Sequence, residues 1–390
     1  MDSMRENDTG DRKNDMIVLD SADGAGSVDA GDDTHTEHPH PPHQHPLYHD
    51  SSQYRHWRFS ETALREHRES ANAKAIALAR AGWEKEEALN AASQSSTSAS
   101  ASTAKTTPPS TDEEDRLIVY YLSQVKPICN LFQFPEVVEA SAITYIKRVY
   151  LFNSVMDLHP KRVMLTCLFI ATKTVNAPVS VADFAKHIGK GKISTSSILD
   201  IEFLLSQNLR FEYATHPAHR AAWGVYLDMQ SMQTTPQQEL DGLFGEVRQL
   251  VRMSRLTCAE LVYSPSQIAL GCFSMANRTL TDAYIEWKRN AFNAQPPPHT
   301  AIEGVVHLIN TYKSSNTLNK ESVQDIDRRL KAWQDPSKVE GTAMHRLKQE
   351  EGDKVDLDKR KKRQAEAERN DKDGESVFGG LLGGHITHGT

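Results

Sequence analysis

From about residue 113 onward, apolar positions return every three or four residues. The first half of this stretch carries Leu117, Tyr120 and Tyr121; Val138, Ala142, Tyr145, Ile146 and Val149; Val163, Leu165, Leu168 and Phe169; and Ile198, Ile201, Leu204 and Leu205. That spacing places each group on one face of a helix, and no alternating pattern of a strand competes with it. About five helices are predicted between 113 and 215, with Pro135 suited to a first helical turn and Pro160 and Pro178 marking hinges. The same periodicity resumes at 217 and predicts helices near 218–230, 237–257, 264–277, 281–292 and 300–313. The expected fold class is all-α, with two five-helix units in tandem (113–215 and 216–316) and no residue pattern shared between the halves.

The flanks differ in composition. Over 47–92 an aromatic and basic lead-in is followed by a helix predicted from Ser60 to Ala92, rich in Ala, Glu, Arg and Leu. Residues 93–112 form a Ser/Thr-rich linker that closes on a helix start at Thr111-Asp112. Over 317–336, Val323, Ile326, Leu330 and Trp333 predict a short amphipathic helix ended by Asp335-Pro336. The outer segments, a His/Pro/Asp-rich extension over 1–46 and a charged tail over 337–390, are expected to be disordered. The run Lys359-Arg360-Lys361-Lys362-Arg363 is either a nuclear-import signal or a solvated face.

Composition narrows the chemistry. The chain has 390 residues and a formal net charge of -7, against the clustered Lys and Arg that phosphate binding needs. Cys129, Cys167, Cys258 and Cys272 fall within apolar helical patterns without close pairs, which predicts buried thiols in a reducing compartment. There is no apolar leader and no uninterrupted apolar run of roughly 18 residues, so a soluble chain with no membrane contact is expected. His35, His38, His40, His43, His45 and His49 could in principle hold zinc or nickel, but interleaved prolines favour a low-complexity tail and no metal site is assigned. Phosphate loops, nucleophile elbows and zinc motifs are missing, and Gly189-Lys190-Gly191-Lys192 is read as a turn between helices. His159, His187 and His219 are read as helix caps or surface groups, and Phe132, Phe203 and Trp223 as core. A non-catalytic binding module without cofactor or small-molecule substrate is the expectation.

Four stretches carry a family resemblance: LYHDSSQYRHWRFS (47–60), YIKRVYLFNSVMDLHPKRVMLTCLFIATK (145–173), ILDIEFLLSQNLRF (198–211) and YSPSQIALGCF (263–273). In this order they resemble the cyclin H branch of the cyclins, the regulatory partner in the CDK-activating kinase of transcription factor IIH. The resemblance implies two cyclin boxes, a cyclin-dependent kinase catalytic subunit as partner, a RING-type assembly factor and a nuclear location. It also implies a kinase interface on the third and fifth helices of the first box, for which Lys161, Arg162, Lys173, Asn176, Glu202 and Phe203 are the residues to test. Trp57 and Phe59 would dock the N-terminal segment on the boxes and could touch the kinase. One departure stands out: Lys173 is followed by Thr174-Val175-Asn176, where many cyclins carry an acidic residue. Alternatives are a cyclin of the C or K type with another kinase, and a nucleic-acid-binding cyclin-fold factor of the general factor IIB type.

Overall fold

The computed structural model describes residues 47–92, 106–189, 193–315 and 320–382. The extension over 1–46, with its histidines up to His45, and the linker from 93 to 105 lie outside the described residues. After a 3-10 turn at Leu47–Asp50, the chain forms α1 (Ser52–His56) and the long α2 (Glu61–Ala92). The hydroxyl of Ser60 accepts the Ala63 amide at 3.1 Å and so starts α2 where the sequence placed a cap.

The first unit consists of α3 (Thr111–Leu131), α4 (Glu136–Val149), α5 (Pro160–Thr174), α6 (Val181–Gly189), α7 (Thr195–Leu199) and α8 (Glu202–Asn208). Helix α3 opens on a reciprocal capping box between Ser110 and Glu113. Every residue of α5 from Val163 to Thr172 is buried, which makes it the axis of this core, and its buried hydroxyls are satisfied by backbone carbonyls: Thr166 donates to Ile198 O of α7 at 3.0 Å and Thr172 to Phe169 O at 2.7 Å. The segment 198–211, continuous in the periodic reading, breaks at Asp200-Ile201 into α7 and α8, because Ile201 and Leu205 turn inward together while Leu199 and Phe203 remain outside.

The second unit follows with α9 (Ala218–Met232), α10 (Gln237–Ser254), the single turn α11 (Ala259–Val262), α12 (Pro265–Ala276), α13 (Arg278–Phe292) and α14 (His299–Ser314). Its axis is α12, buried from Ile268 to Phe273. A methyl group at Gly271 would lie 2.6 Å from Val305 Cγ1, so glycine is what lets α12 and α14 approach this closely. The two axial helices do share a start signal: proline in the first turn behind a capping side chain. His159 Nδ1 accepts the Lys161 amide at 3.2 Å before Pro160, and Ser264 Oγ accepts the Gln267 amide at 3.3 Å before Pro265.

Both flanking helices pack on the first core. Ala75 and Ala79 of α2 join it with Val323, Ile326, Leu330 and Trp333 from α15 (Lys320–Ala332). The indole N–H groups of Trp83 and Trp333 donate to Gln334 O at 3.1 Å and Thr106 O at 2.9 Å, and Arg329 grips both oxygens of Glu113. The tail expected to be disordered from 337 is instead helical over α16 (Ala343–Leu382). Its Lys, Glu, Arg and Ala residues are strong helix formers, and Glu86 secures its start by accepting the Ala343 and Met344 amides at 2.8 and 2.9 Å. Burial alone would raise the Glu86 carboxyl, but these amides hold it below the usual carboxylate range. The basic run 359–363 is exposed along this helix.

The loop between α4 and α5 is tied to α3 by the Ser154 hydroxyl, which donates to the buried carboxyl of Glu114. Burial pushes Glu114 up to about 7 against a usual 4.5. The folded chain therefore keeps a proton here that the unfolded chain releases, so the contribution of Glu114 to stability falls as pH rises from about 4.5 to 7 and stays lost above. Glu114→Gln is expected to be more stable than the wild type at pH 8 by on the order of 2–3 kcal/mol, a difference that shrinks toward pH 5. Paired urea melts across this range check it; a constant difference would refute the assignment.

Candidate functional site

Where α5 ends and α8 begins, the chain builds an exposed polar pair beside exposed aromatic rings. Lys173, in the last turn of α5, forms an ion pair with Glu202, in the first turn of α8, and its ammonium also lies 4.8 Å from the centre of the Phe169 ring. The carboxylate sits where a helix N-terminus favours negative charge. One mutual contact leaves each group with spare capacity: the ammonium has further donors and the carboxylate further acceptors. Lys173, which no acidic residue directly follows in sequence, thus has an acidic partner in space, Glu202. Beside the pair stand Phe203 and Phe211, 66% and 54% exposed, with ring centres 6.2 Å apart. Leu199 and Leu204 add exposed apolar surface on the same two short helices.

Phe203, grouped with the core by its spacing, is therefore a surface residue, and so is Trp223 at 50% exposure; Phe132 does pack against the core. Periodicity identifies a helix but does not say which aromatic faces inward when helices are as short as α8. Asn176, just past α5, takes a left-handed backbone (φ 58°), a conformation asparagine tolerates better than most residues. Lys161 and Arg162 are exposed at the opposite end of α5, roughly 18 Å from Lys173 at 1.5 Å per residue. The structure thus groups Lys173, Asn176, Glu202 and Phe203 and leaves Lys161 and Arg162 apart. Leu199, Leu204 and Phe211 are the members that sequence reasoning missed; only their helical numbering beside Phe203 hinted at them.

The lead-in segment is anchored just behind this face. Trp57 is fully buried, which removes it as a direct contact for a partner, and it packs with Leu64, Leu151 and Leu261 from both units. Its indole N–H donates to Glu212 at 2.6 Å, and the guanidinium of Arg148 lies 4.7 Å from its ring centre. Arg148 is itself fully buried without a carboxylate in hydrogen-bond contact: it donates to Glu212 O at 2.8 Å, and burial pulls it down to about 10. Phe59 is half-buried, its amide donating to Leu261 O at 2.8 Å and its ring against His67 and Phe152.

Residues 210–212 connect the segment to the exposed face. Arg210 and Phe211 both take left-handed backbone (φ 54° and 57°), which costs a non-glycine residue about 1–2 kcal/mol. The surroundings hold this turn: Arg210 lies 5.4 Å from the Trp57 ring centre, Glu212 accepts from Trp57 and contacts His56 at 2.5 Å, and between them Phe211 is turned outward. Among the described residues no convergent nucleophile and base accompany the site, and the arrangement offers what a protein partner needs: a side-chain donor and acceptor next to an apolar anchor.

Comparison with known proteins agrees with this architecture. Residues 88–214 match the cyclin N-terminal domain and residues 216–318 the cyclin C-terminal domain. The chain is 31% identical to cyclin CCL1 of Saccharomyces cerevisiae over 245 residues, 62% of this chain and 61% of that one. It is 30% identical to cyclin-H1-1 of Arabidopsis thaliana over 227 residues, 55% of this chain and 65% of that one. It thus spans less than two thirds of the length of these curated relatives. Among solved structures, it superposes on a chain of the CAK complex from Chaetomium thermophilum bound to ATP-gamma-S with a TM-score of 0.63 and 27% identity, covering 78% of this chain and 94% of that one. Two helical units, each built around a buried helix opened by proline, and two adjacent domain matches that together span more than half of the residues lead to one conclusion: the chain belongs to the cyclin family.

Proposed function

We propose that the chain is the regulatory, non-catalytic subunit of a cyclin-dependent kinase, of the cyclin H type that serves the CDK-activating kinase of transcription factor IIH. The observation that carries this reading is the exposed Phe203–Phe211 surface beside the Lys173–Glu202 pair, at the end of the first cyclin box. Similarity to cyclin-H1-1 and to a chain of a CAK complex supports the choice of branch. Such a subunit works by binding energy alone: it favours one position of the kinase's mobile helix and activation segment. Moving that equilibrium from about 1:99 to 99:1 takes about 5.5 kcal/mol of differential affinity, within reach of an interface of standard size with a few buried anchors. A RING-type assembly factor as third subunit, a nuclear location, and activity of the complex on the RNA polymerase II tail and on other kinases' activation loops belong to the same reading.

Co-expression with the cognate kinase subunit, followed by assay on a polymerase-tail peptide, tests it. A stable pair and a large rise in rate over the kinase alone are expected; no binding would redirect the search to kinases of the C and K classes.

A further inference from the structure

A second surface lies at the junction of the two boxes. Ala222 and Trp223 of α9, Phe244, Arg248 and Val251 of α10 and Glu136 of α4 enclose a cavity of about 300 Å³. Its wall is a fixed aromatic platform: Trp223 stacks on Tyr226 at 5.1 Å and leans on Phe244 at 5.5 Å, yet is half exposed, as is Leu227 one turn further along α9. Of the charged residues, Glu136 and Arg248 line it, and further charge lies behind Glu136. Arg248, Arg252 and Arg255 lie within 3.7 Å of Glu136, and Arg255 and Lys126 within 3.1 Å of Glu139. Four cations thus face two carboxylates; with Asp241, which accepts from Tyr226 on the wall, the local surplus is one positive charge in a chain of net charge -7.

That surplus is unevenly used. Arg255 is buried and bonded to both carboxylates, whereas Arg252 Nε is buried without a hydrogen bond and Arg248 touches Glu136 only at 3.7 Å, its side chain 52% exposed at the mouth. His219 lines the same cavity, and its buried Nδ1 has no hydrogen-bond partner. Burial, and then Arg255, push its imidazole down to about 4, so it is neutral and adds a polar atom rather than charge.

We propose that this cavity docks an acidic segment of a protein partner, whose aliphatic or aromatic side chain lies over Trp223 and Phe244 and whose carboxylate pairs with Arg248. The apolar wall selects a side-chain anchor, and the charge surplus selects an acid beside it; a planar guanidinium at the mouth suits a carboxylate in two-point contact. A nucleic acid is disfavoured because its backbone would need a track of cations, and Arg248 is the one cation among the lining residues. The inference is independent of the kinase reading, since it uses none of the residues at the α5–α8 face.

The test uses the full chain with nitrogen-labelled tryptophan and follows the indole N–H resonances during titration with acetyl-Glu-Leu-Phe-Glu-amide, acetyl-Lys-Leu-Phe-Lys-amide or a ten-residue oligothymidylate. A saturable shift confined to Trp223 is expected with the acidic peptide, and Arg248→Glu should weaken it about tenfold, Arg248→Lys by less, because the charge stays while the two-point contact is lost. Equal response to the lysine peptide, a stronger response to the oligonucleotide, an unmoved Trp223, or an affinity unchanged by Arg248→Glu would each overturn the proposal. Because Arg248 is a surface residue, its replacement is not expected to disturb folding, which the other tryptophan resonances report in the same spectra.

Discussion

Replacing Trp57 with alanine is expected to lower the free energy of unfolding by about 3–5 kcal/mol, the range for deleting a large aromatic from a packed core. The indole is fully buried between the two boxes, and its loss would strand the guanidinium of Arg148, which has no carboxylate in hydrogen-bond contact. Trp57→Phe separates the two contributions. It keeps a ring face for Arg148 and loses only the bond to Glu212, which retains His56, so about 1–2 kcal/mol is expected. Chemical denaturation of both variants decides; equal losses would mean that the hydrogen bond, not the packing, holds the segment. The same geometry predicts a difference between truncations. A chain lacking residues 1–46 should activate the kinase like the full chain, whereas one lacking 1–92 loses Trp57 and α2 and, with them, what holds the turn at Arg210-Phe211. Equal kinase activation by both truncations would sink this link.

Phe203→Ala is expected to weaken kinase binding by about 2 kcal/mol or more, roughly thirtyfold, the scale of an interface hot spot. Its ring is two-thirds exposed, so the fold itself should change by no more than about 0.5 kcal/mol. That contrast is the diagnostic feature: a variant that melts like the wild type and fails to bind places the residue in the interface. Glu202→Lys goes further, because it sets two ammonium groups against each other in place of the present pair and removes the acceptor from the first turn of α8. Loss of activation with a fall in stability of no more than about 1 kcal/mol is expected, with partial recovery when Lys173→Glu is added. Lys161→Ala, at the far end of α5, serves as the control that retains binding. If Lys161→Ala were as damaging as Phe203→Ala, the interface would have to run along the whole helix.

The residues of α5 and α12 show how much is legible without coordinates. Long helices with an apolar face announce themselves through spacing, because 3.6 residues per turn is a local property of the backbone; the starts at Ser60, Ser110, His159 and Ser264 are equally local, each a capping side chain and its nearby amides. The α15 face of Val323, Ile326, Leu330 and Trp333 was readable for the same reason. Short elements were not: α7 and α8 are too brief for periodicity to assign a face, which is why Phe203 read as core. The tail after 337 read as disordered because its charge is evident in composition, while the carboxylate that starts its helix, Glu86, is more than 250 residues away. Sequence alone therefore determined the helical class and the two tandem units. Tertiary structure alone decided that Lys173 finds its acid in Glu202, that Trp57 covers Arg148, and that Trp223 shares a cavity with Arg248 of another helix. Those pairings join residues 25 to 91 positions apart, and contact across such distances follows from how helices pack, not from any spacing along the chain.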